Sequence, residues 1–345
     1  MKRWGWTILG VLLAGALGAQ TLDQPVATIK LDKKSSLVSQ KAFRDQVAAI
    51  ETQQATKLTP EQKKKVLDEM VIRELIQMDI EAQGIKGTDD DLYKQFRANN
   101  PGMSDAQIKA EVERQSGKPW DVATIEFKKQ IANMKYFNQF PQAQEVGKIN
   151  VTQEEVQAFF DANQSRFVSP DYIRVSHIFF DTKMRPKGTL AEIQKRAEDT
   201  LKKISSGQAT FEEMASTVSE DPTSSKSNGD IGFLPRNMDG PVGQQLMRVF
   251  GADFVNAAFA LKKGDLSQIL TSNSGLHIIR VTQKIDKHFM TLDEPVFPGQ
   301  QETVRGYIQR TISQNKLIQN QTKMVEEIGN GLKAKATVTV FEQNF

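Results

Sequence analysis

Residues 211–232 read FEEMASTVSEDPTSSKSNGDIG, and the fold turns on the change of pattern inside them. An amphipathic helical turn from Phe211 gives way to a polar loop and then to Gly229-Asp230-Ile231-Gly232. Asp221-Pro222 is expected to end the helix, because the residue before a proline is pushed out of the α region. The Ser/Thr/Lys/Asn run that follows buries too little apolar surface to order itself. Gly229 and Gly232 bracket Ile231, so the chain is expected to turn sharply there and enter a strand.

Outside this stretch, composition limits the possibilities. The chain has 345 residues, 39% of them hydrophobic, which is enough for two or three domains with real cores. Forty-five basic residues face 42 acidic ones, and losing Lys2 and Arg3 with a leader lowers the net charge from +3 to +1. Such a balance argues against nucleic acid as the main partner. The absence of cysteine excludes disulfides, thiolate nucleophiles and zinc-thiolate sites. At the N-terminus, Lys2 and Arg3 precede an apolar run from Trp4 to Ala19 that closes on Gly18-Ala19, the pattern of a secretory signal cut after Ala19. The run is short for a spanning helix. The expectation is an exported, periplasmic protein with no stable membrane insertion once the signal is removed.

Val26 to Leu31 alternates like a strand, and a helical period then holds to about Phe167. Thr59-Pro60-Glu61-Gln62 and Thr152-Gln153-Glu154-Glu155 are capping boxes. Val66, Leu67, Met70, Val71, Leu75 and Met78 recur at three- and four-residue steps, which makes one face of that helix core. Further helices are expected near 40–54, 89–98, 104–115, 119–138 and 152–164. Phe127, Met134, Tyr136, Phe137 and Phe140 admit two readings, as core or as a partly open apolar groove for unfolded chains.

A compact α/β segment follows. Tyr172 to Phe180 is a strand with Ile173, Val175, His177 and Phe179 on one face. Capped helices start at Thr189 and Thr210. A Gly/Pro-bearing stretch at 239–251 precedes a short helix over 253–261, and Leu266–Leu270 with Leu276–Val281 form a hairpin signal. From Gln301 the period is helical again until Gly329 to Gly331 end it. Ala336 to Phe341 alternates, and is expected to pair with Val26 to Leu31.

VSHI at 175–178, SEDPTSSKSNGDIG at 219–232, FVNAAFAL at 254–261 and SNSGLHII at 272–279 together resemble, in order and spacing, the parvulin family of peptidyl-prolyl cis/trans isomerases. The leader, the helical region and the C-terminal helix around one such domain also resemble the SurA-type periplasmic chaperones and the PrsA foldases. This resemblance implies an α+β protein. Its parts would be a signal peptide at 1–19, a helical chaperone domain at 20–168, an inserted parvulin domain at 169–285, and a C-terminal helix and strand at 286–345 packing on the N-terminal domain.

Carried over residue by residue, the resemblance makes His177, Asp221, Ser274 and His277 the polar catalytic set. Ile231, Phe254 and Phe259 would bind the proline, with Met238 or Phe250 as the lid: Met238 follows the arginine, and Phe250 has the right distance from Phe254. No cofactor and no metal are implied, although two histidines and an aspartate are also a donor set for zinc. Lys183, Arg185 and Lys187 match a basic cluster that in some parvulins selects acidic residues before proline. The implied partners are unfolded or partly folded exported polypeptides containing proline. The alternative function is a non-catalytic holdase built on an inactive parvulin scaffold.

Overall fold

The computed structural model describes residues 23–184, 186–236 and 240–345, and the side chains among them except those of 240–242. The mixed helix-and-sheet chain forms two compact units, one reaching to Ile149 and including Asn315–Phe345, the other Asn150–Gln314. The signal-peptide reading and Met238 fall outside the described residues.

The first unit begins with strands β1 (Pro25–Leu31) and β2 (Lys34–Ser39). Helices α1 (Gln40–Gln54), α2 (Pro60–Ala82), α3 (Asp89–Asn99), α4 (Asp105–Ser116), α5 (Trp120–Ala123), α6 (Ile125–Phe137) and α7 (Gln142–Val146) follow. The second unit holds α8 (Gln153–Ala162), β3 (Val168–Ser169), β4 (Tyr172–Asp181), α9 (Leu190–Ser205), α10 (Phe211–Thr217), β5 (Asp230–Pro235), α11 (Gly240–Phe250), α12 (Ala252–Ala260), β6 (Leu270–Thr271), β7 (Gly275–Ile285) and β8 (His288–Phe289). Helix α13 (Val304–Lys333) starts in the second unit and ends in the first, where β9 (Thr337–Val340) closes the chain.

In the first unit β9 lies antiparallel on β1, with Ile29 opposite Val338, giving the sheet order β2-β1-β9. Both capping boxes form, the Thr59 hydroxyl accepting the Gln62 N–H while the Gln62 side chain accepts the Thr59 N–H. Helix α2 buries more than the single face its spacing suggests. Leu67, Val71 and Leu75 pack with the sheet and Phe43, whereas Ile72, Ile76 and Ile80 pack with Tyr136, Phe137 and Ile328. The helix expected over 119–138 is divided at Thr124 into α5 and α6; the Thr124 hydroxyl and N–H both donate to the Trp120 carbonyl, at 2.7 and 2.9 Å. The aromatic and methionine stripe divides: Tyr136 and Phe137 are core, while Phe127 and Met134 are 45% and 39% exposed. Gly329 does not end α13. It lies inside the helix, where a Cβ would meet the Ile72 side chain at 2.2 Å, so its missing side chain permits the close crossing of α13 and α2.

The second unit is built on the antiparallel sheet β5-β4-β7-β6. Even-numbered residues of β4 such as Ile178 and Phe180 face α9 and α10, joining Ile193, Phe211 and Met214. Odd-numbered Ile173 and Val175 face α12 and meet Phe254, Phe259 and Ile279. The Gly/Pro-bearing stretch contains the helix α11, a proline being tolerated within a first helical turn, and one expectation fails nearby. The helix before Asp221-Pro222 stops earlier, at Thr217, and the polar loop after it is ordered, with Ser224 only 3% exposed.

Removing residues 332–345 deletes β9 and the Phe345 ring that lies 5.1 Å from Phe43. We predict a thermal midpoint lowered by about 10 °C or more and a loss of helical signal, measured by circular dichroism.

Candidate active site

The polar loop orders itself on strand β4. Beyond Ser176, which lies opposite Asp230, β5 no longer pairs with β4, and the outward N–H groups of His177, Phe179 and Asp181 need other acceptors. Gly229 O takes the first at 2.8 Å, Ser219 Oγ the second at 3.1 Å, and Glu220 Oε2 the third at 2.8 Å. Glu220 N–H returns a bond to the Phe179 carbonyl at 2.8 Å. Inside the loop, Ser224 O accepts from Ser227 and Gly229. Gly229 has φ of 80°, and a Cβ there would meet His177 O at 2.3 Å, so only glycine closes the loop onto the strand.

This docking carries Asp221 to His177, whose Nε2 lies 2.9 Å from Asp221 Oδ2 and 3.0 Å from Ser224 Oγ. Ser224 Oγ also donates to Asp221 Oδ2 at 2.5 Å. Because Phe179 pairs with His277 across β4 and β7, His177 is a diagonal neighbour of His277, and the rings meet Nδ1 to Nδ1 at 3.2 Å. His277 Nε2 then lies 2.8 Å from Ser272 Oγ. The structure therefore brings His177, His277 and Asp221 together and places Ser274 elsewhere: its hydroxyl donates to the Val249 carbonyl at 3.2 Å. Ser272 takes the place beside His277, and Ser224 joins the set; neither was singled out by motif.

Counting donors fixes the direction of the chain. Ser272 Oγ accepts the N–H groups of Ser274 and Gly275, at 3.0 and 3.1 Å, which fills its lone pairs. Its own proton must go to His277 Nε2. His277 then carries its proton on Nδ1 and donates to His177 Nδ1, and His177 donates from Nε2 to Asp221. The hydrogen bond from His177 holds the Asp221 carboxyl far below the usual carboxylate range, against the opposing effect of burial. Burial holds the His277 ring well below its ordinary value, and the neighbouring His177 pushes the same way, so His277 stays neutral.

Aromatic groups wall this network. Phe250 and Phe254 stack at 4.7 Å, and their centroids lie 5.9 and 4.9 Å from His277. Phe179, on the other side, lies 4.9 Å from His277 and 5.9 Å from His177. A cavity of about 410 Å³ opens beside Phe250, Phe254 and Ser272. Ile231 and Phe259 belong to the same apolar cluster; Phe259 is buried, with the Arg236 guanidinium 4.6 Å from its ring centroid. Asp230 accepts from Arg174 at 2.6 Å and from Gly232 N–H at 2.9 Å, which fixes the turn around Ile231. Arg185 lies outside the described residues, and Lys187 sits 3.9 Å from Glu220. Among the described residues no group of three or more His, Asp or Glu is arranged as metal ligands.

Residues 177–283 match the family described as rotamase, the PPIC-type PPIase domain. The chain carries a PPIC-type isomerase domain. That domain begins at His177 and includes every polar member of the network. Over 197 residues, 57% of the chain, the sequence is 27% identical to the foldase protein PrsA of Halalkalibacterium halodurans, of which it covers 46%. Over 286 residues, 80% of the chain, it is 24% identical to the chaperone SurA of Alcanivorax borkumensis, covering 57% of it. The chain thus spans about half the length of these two relatives. A solved SurA-like chaperone of Campylobacter jejuni is 19% identical with a TM-score of 0.34, over 90% of this chain and 98% of that one.

The depressed basicity of His277 has a defined sign in stability. Below its ordinary value of 6.5 the unfolded chain binds a proton that the native ring refuses, so native stability falls as the pH drops. Asp221 acts the same way at lower pH, its contribution being present above 3.8 and lost on further acidification. His288, held by the Asp286 carbonyl and Glu294, is shifted upward and works in the opposite sense. Urea unfolding of wild type and His277→Gln at pH 7 and 5 separates them: we predict that wild type loses up to about 2 kcal/mol more than the variant on acidification.

Proposed function

We propose that the protein is an exported peptidyl-prolyl cis/trans isomerase and chaperone that assists the folding of secreted or outer-membrane proteins. The observation that carries this reading is the Phe250–Phe254 stack set against the buried Asp221–His177–His277–Ser272 chain, inside a PPIC-type domain. Turning an X-Pro bond destroys amide resonance, a barrier of about 18–20 kcal/mol, yet breaks no covalent bond. A catalyst has only to hold the ring in an apolar site and favour the twisted amide over the planar one. In this reading Phe250, Phe254 and Ile231 receive the proline ring. The histidine chain gives the floor a fixed dipole that ends on the Asp221 carboxylate, and it transfers no proton.

The names of the relatives, a foldase and a chaperone, support a role in protein folding, and the charged-then-apolar start of the sequence supports export to the periplasm. A holdase activity in the first unit is favoured by one observation of its own. Val122, Ile125, Phe127 and Met134 expose apolar surface on the consecutive helices α5 and α6. Both activities are compatible with two separate units.

Proline-limited refolding and aggregation suppression, measured on wild type and Asp221→Ala, test the reading together. We predict that the substitution slows catalysed refolding by about 100-fold or more, the scale of removing one preorganised polar group, and leaves suppression unchanged. Wild type with no effect on the refolding rate would leave the holdase reading alone.

A further inference from the structure

We propose that Glu220 is a positioning residue for the isomerase site, clamping the loop that carries Asp221 onto strand β4 through three bonds shared with Phe179, Asp181 and Arg196. This inference rests on the isomerase reading for its kinetic arm only.

Glu220 is an expensive residue to keep where it is. Its side chain is 4% exposed, and a carboxylate withdrawn from water stabilises a fold little even when it is paired. Its N–H and both carboxylate oxygens are engaged in this docking. Its N–H donates to the Phe179 carbonyl at 2.8 Å, Oε2 accepts the Asp181 N–H at 2.8 Å, and Oε1 accepts Arg196 Nη2 at 2.9 Å. Residues 177, 179 and 181 all turn their peptide groups to the same edge of β4, so these contacts set the register of 219–221 along the strand. Arg196, on α9, is itself located by its packing over the Phe180 ring, 5.7 Å from the centroid. Its Nε is buried and has no hydrogen-bond partner among the described residues, so the guanidinium is committed to Glu220 at a cost.

Asp221 is the next residue, and its bond to His177 tolerates little movement. The backbone between Glu220 and Asp221 is short and fixed by the clamp on one side and by Ser224 on the other. Without the Glu220 carboxylate the Asp181 N–H loses its acceptor, the 219–221 segment is held to the β4 edge only around Phe179, by the Ser219 hydroxyl and the Glu220 N–H, and Asp221 meets Nε2 less closely. The ordering of a reactive group by such a neighbour appears in turnover rather than in affinity, because the apolar walls that hold proline are untouched.

The test compares Glu220→Ala, Glu220→Gln and Ile193→Ala with wild type. Ile193 is buried in the apolar layer between α9 and the sheet, so it controls for lost stability. Two readouts are taken: the kcat and KM of prolyl isomerisation, and the titration of the Asp221 carboxyl by carbon NMR, which needs no activity. We expect Glu220→Ala to lower kcat by about tenfold or more with KM within about twofold, and to move the Asp221 titration upward as its bond from His177 is lost. Glu220→Gln, which keeps an acceptor for Asp181, should recover part of both effects. Ile193→Ala should lower the unfolding midpoint with neither change. An unmoved Asp221 titration in Glu220→Ala would overturn the proposal. Wild type without isomerase activity would instead overturn the functional reading, and the titration would still decide the role of Glu220.

Discussion

Two buried imidazoles face each other through their Nδ1 atoms at 3.2 Å, and of two facing nitrogens only one can hold a proton. That restriction orders everything around them. The register of β4 on β7 makes the rings diagonal neighbours, and Ser272, saturated by two backbone donors, forces its own proton onto His277. The polarity then runs one way, through His177 to a carboxylate. Without Asp221 the chain would end on the neutral Ser224 hydroxyl instead of a carboxylate, a weaker acceptor for a buried donor. The loop that delivers Asp221 is therefore as necessary as the rings.

That loop is ordered by the sheet rather than by apolar burial. Where β5 departs, strand β4 is left with unpaired peptide groups, and Ser219, Glu220 and Gly229 supply what a neighbouring strand would have supplied. A segment rich in serine, lysine and asparagine thus becomes part of a rigid site by satisfying backbone groups. The aromatic wall is fixed separately, by the stacking of Phe250 at the end of α11 on Phe254 in α12.

Much of this was legible before the structure because it is written in short-range patterns. Capping boxes at Thr59 and Thr152 marked helix starts, and period-two alternation marked β1, β4 and β9 and the pairing of the first with the last. His177, Asp221 and His277 were legible from motif order. Other features depend on directions that spacing does not encode. Ser272 and Ser274 lie two apart in one bend, and only the turn geometry decides which hydroxyl meets His277. The order in the polar loop was missed because its stabilising partners are the peptide groups of a distant strand. Helix α11 was hidden by the glycines and proline at its start, although Phe250, four residues before Phe254, had the spacing to reach it. Gly329 reads as a helix stop in isolation and is a crossing point only because Ile72 lies against it.

The direction of the proton chain is open to direct measurement. Nitrogen–proton correlation spectra of the two imidazoles at pH 7 distinguish their tautomers without reference to turnover. His277 should carry its proton on Nδ1 and His177 on Nε2, with both resonances slow to exchange with water and both lost in Asp221→Ala. A proton on His277 Nε2, or rings that interchange tautomers freely, would contradict the one-way chain on which the site is built.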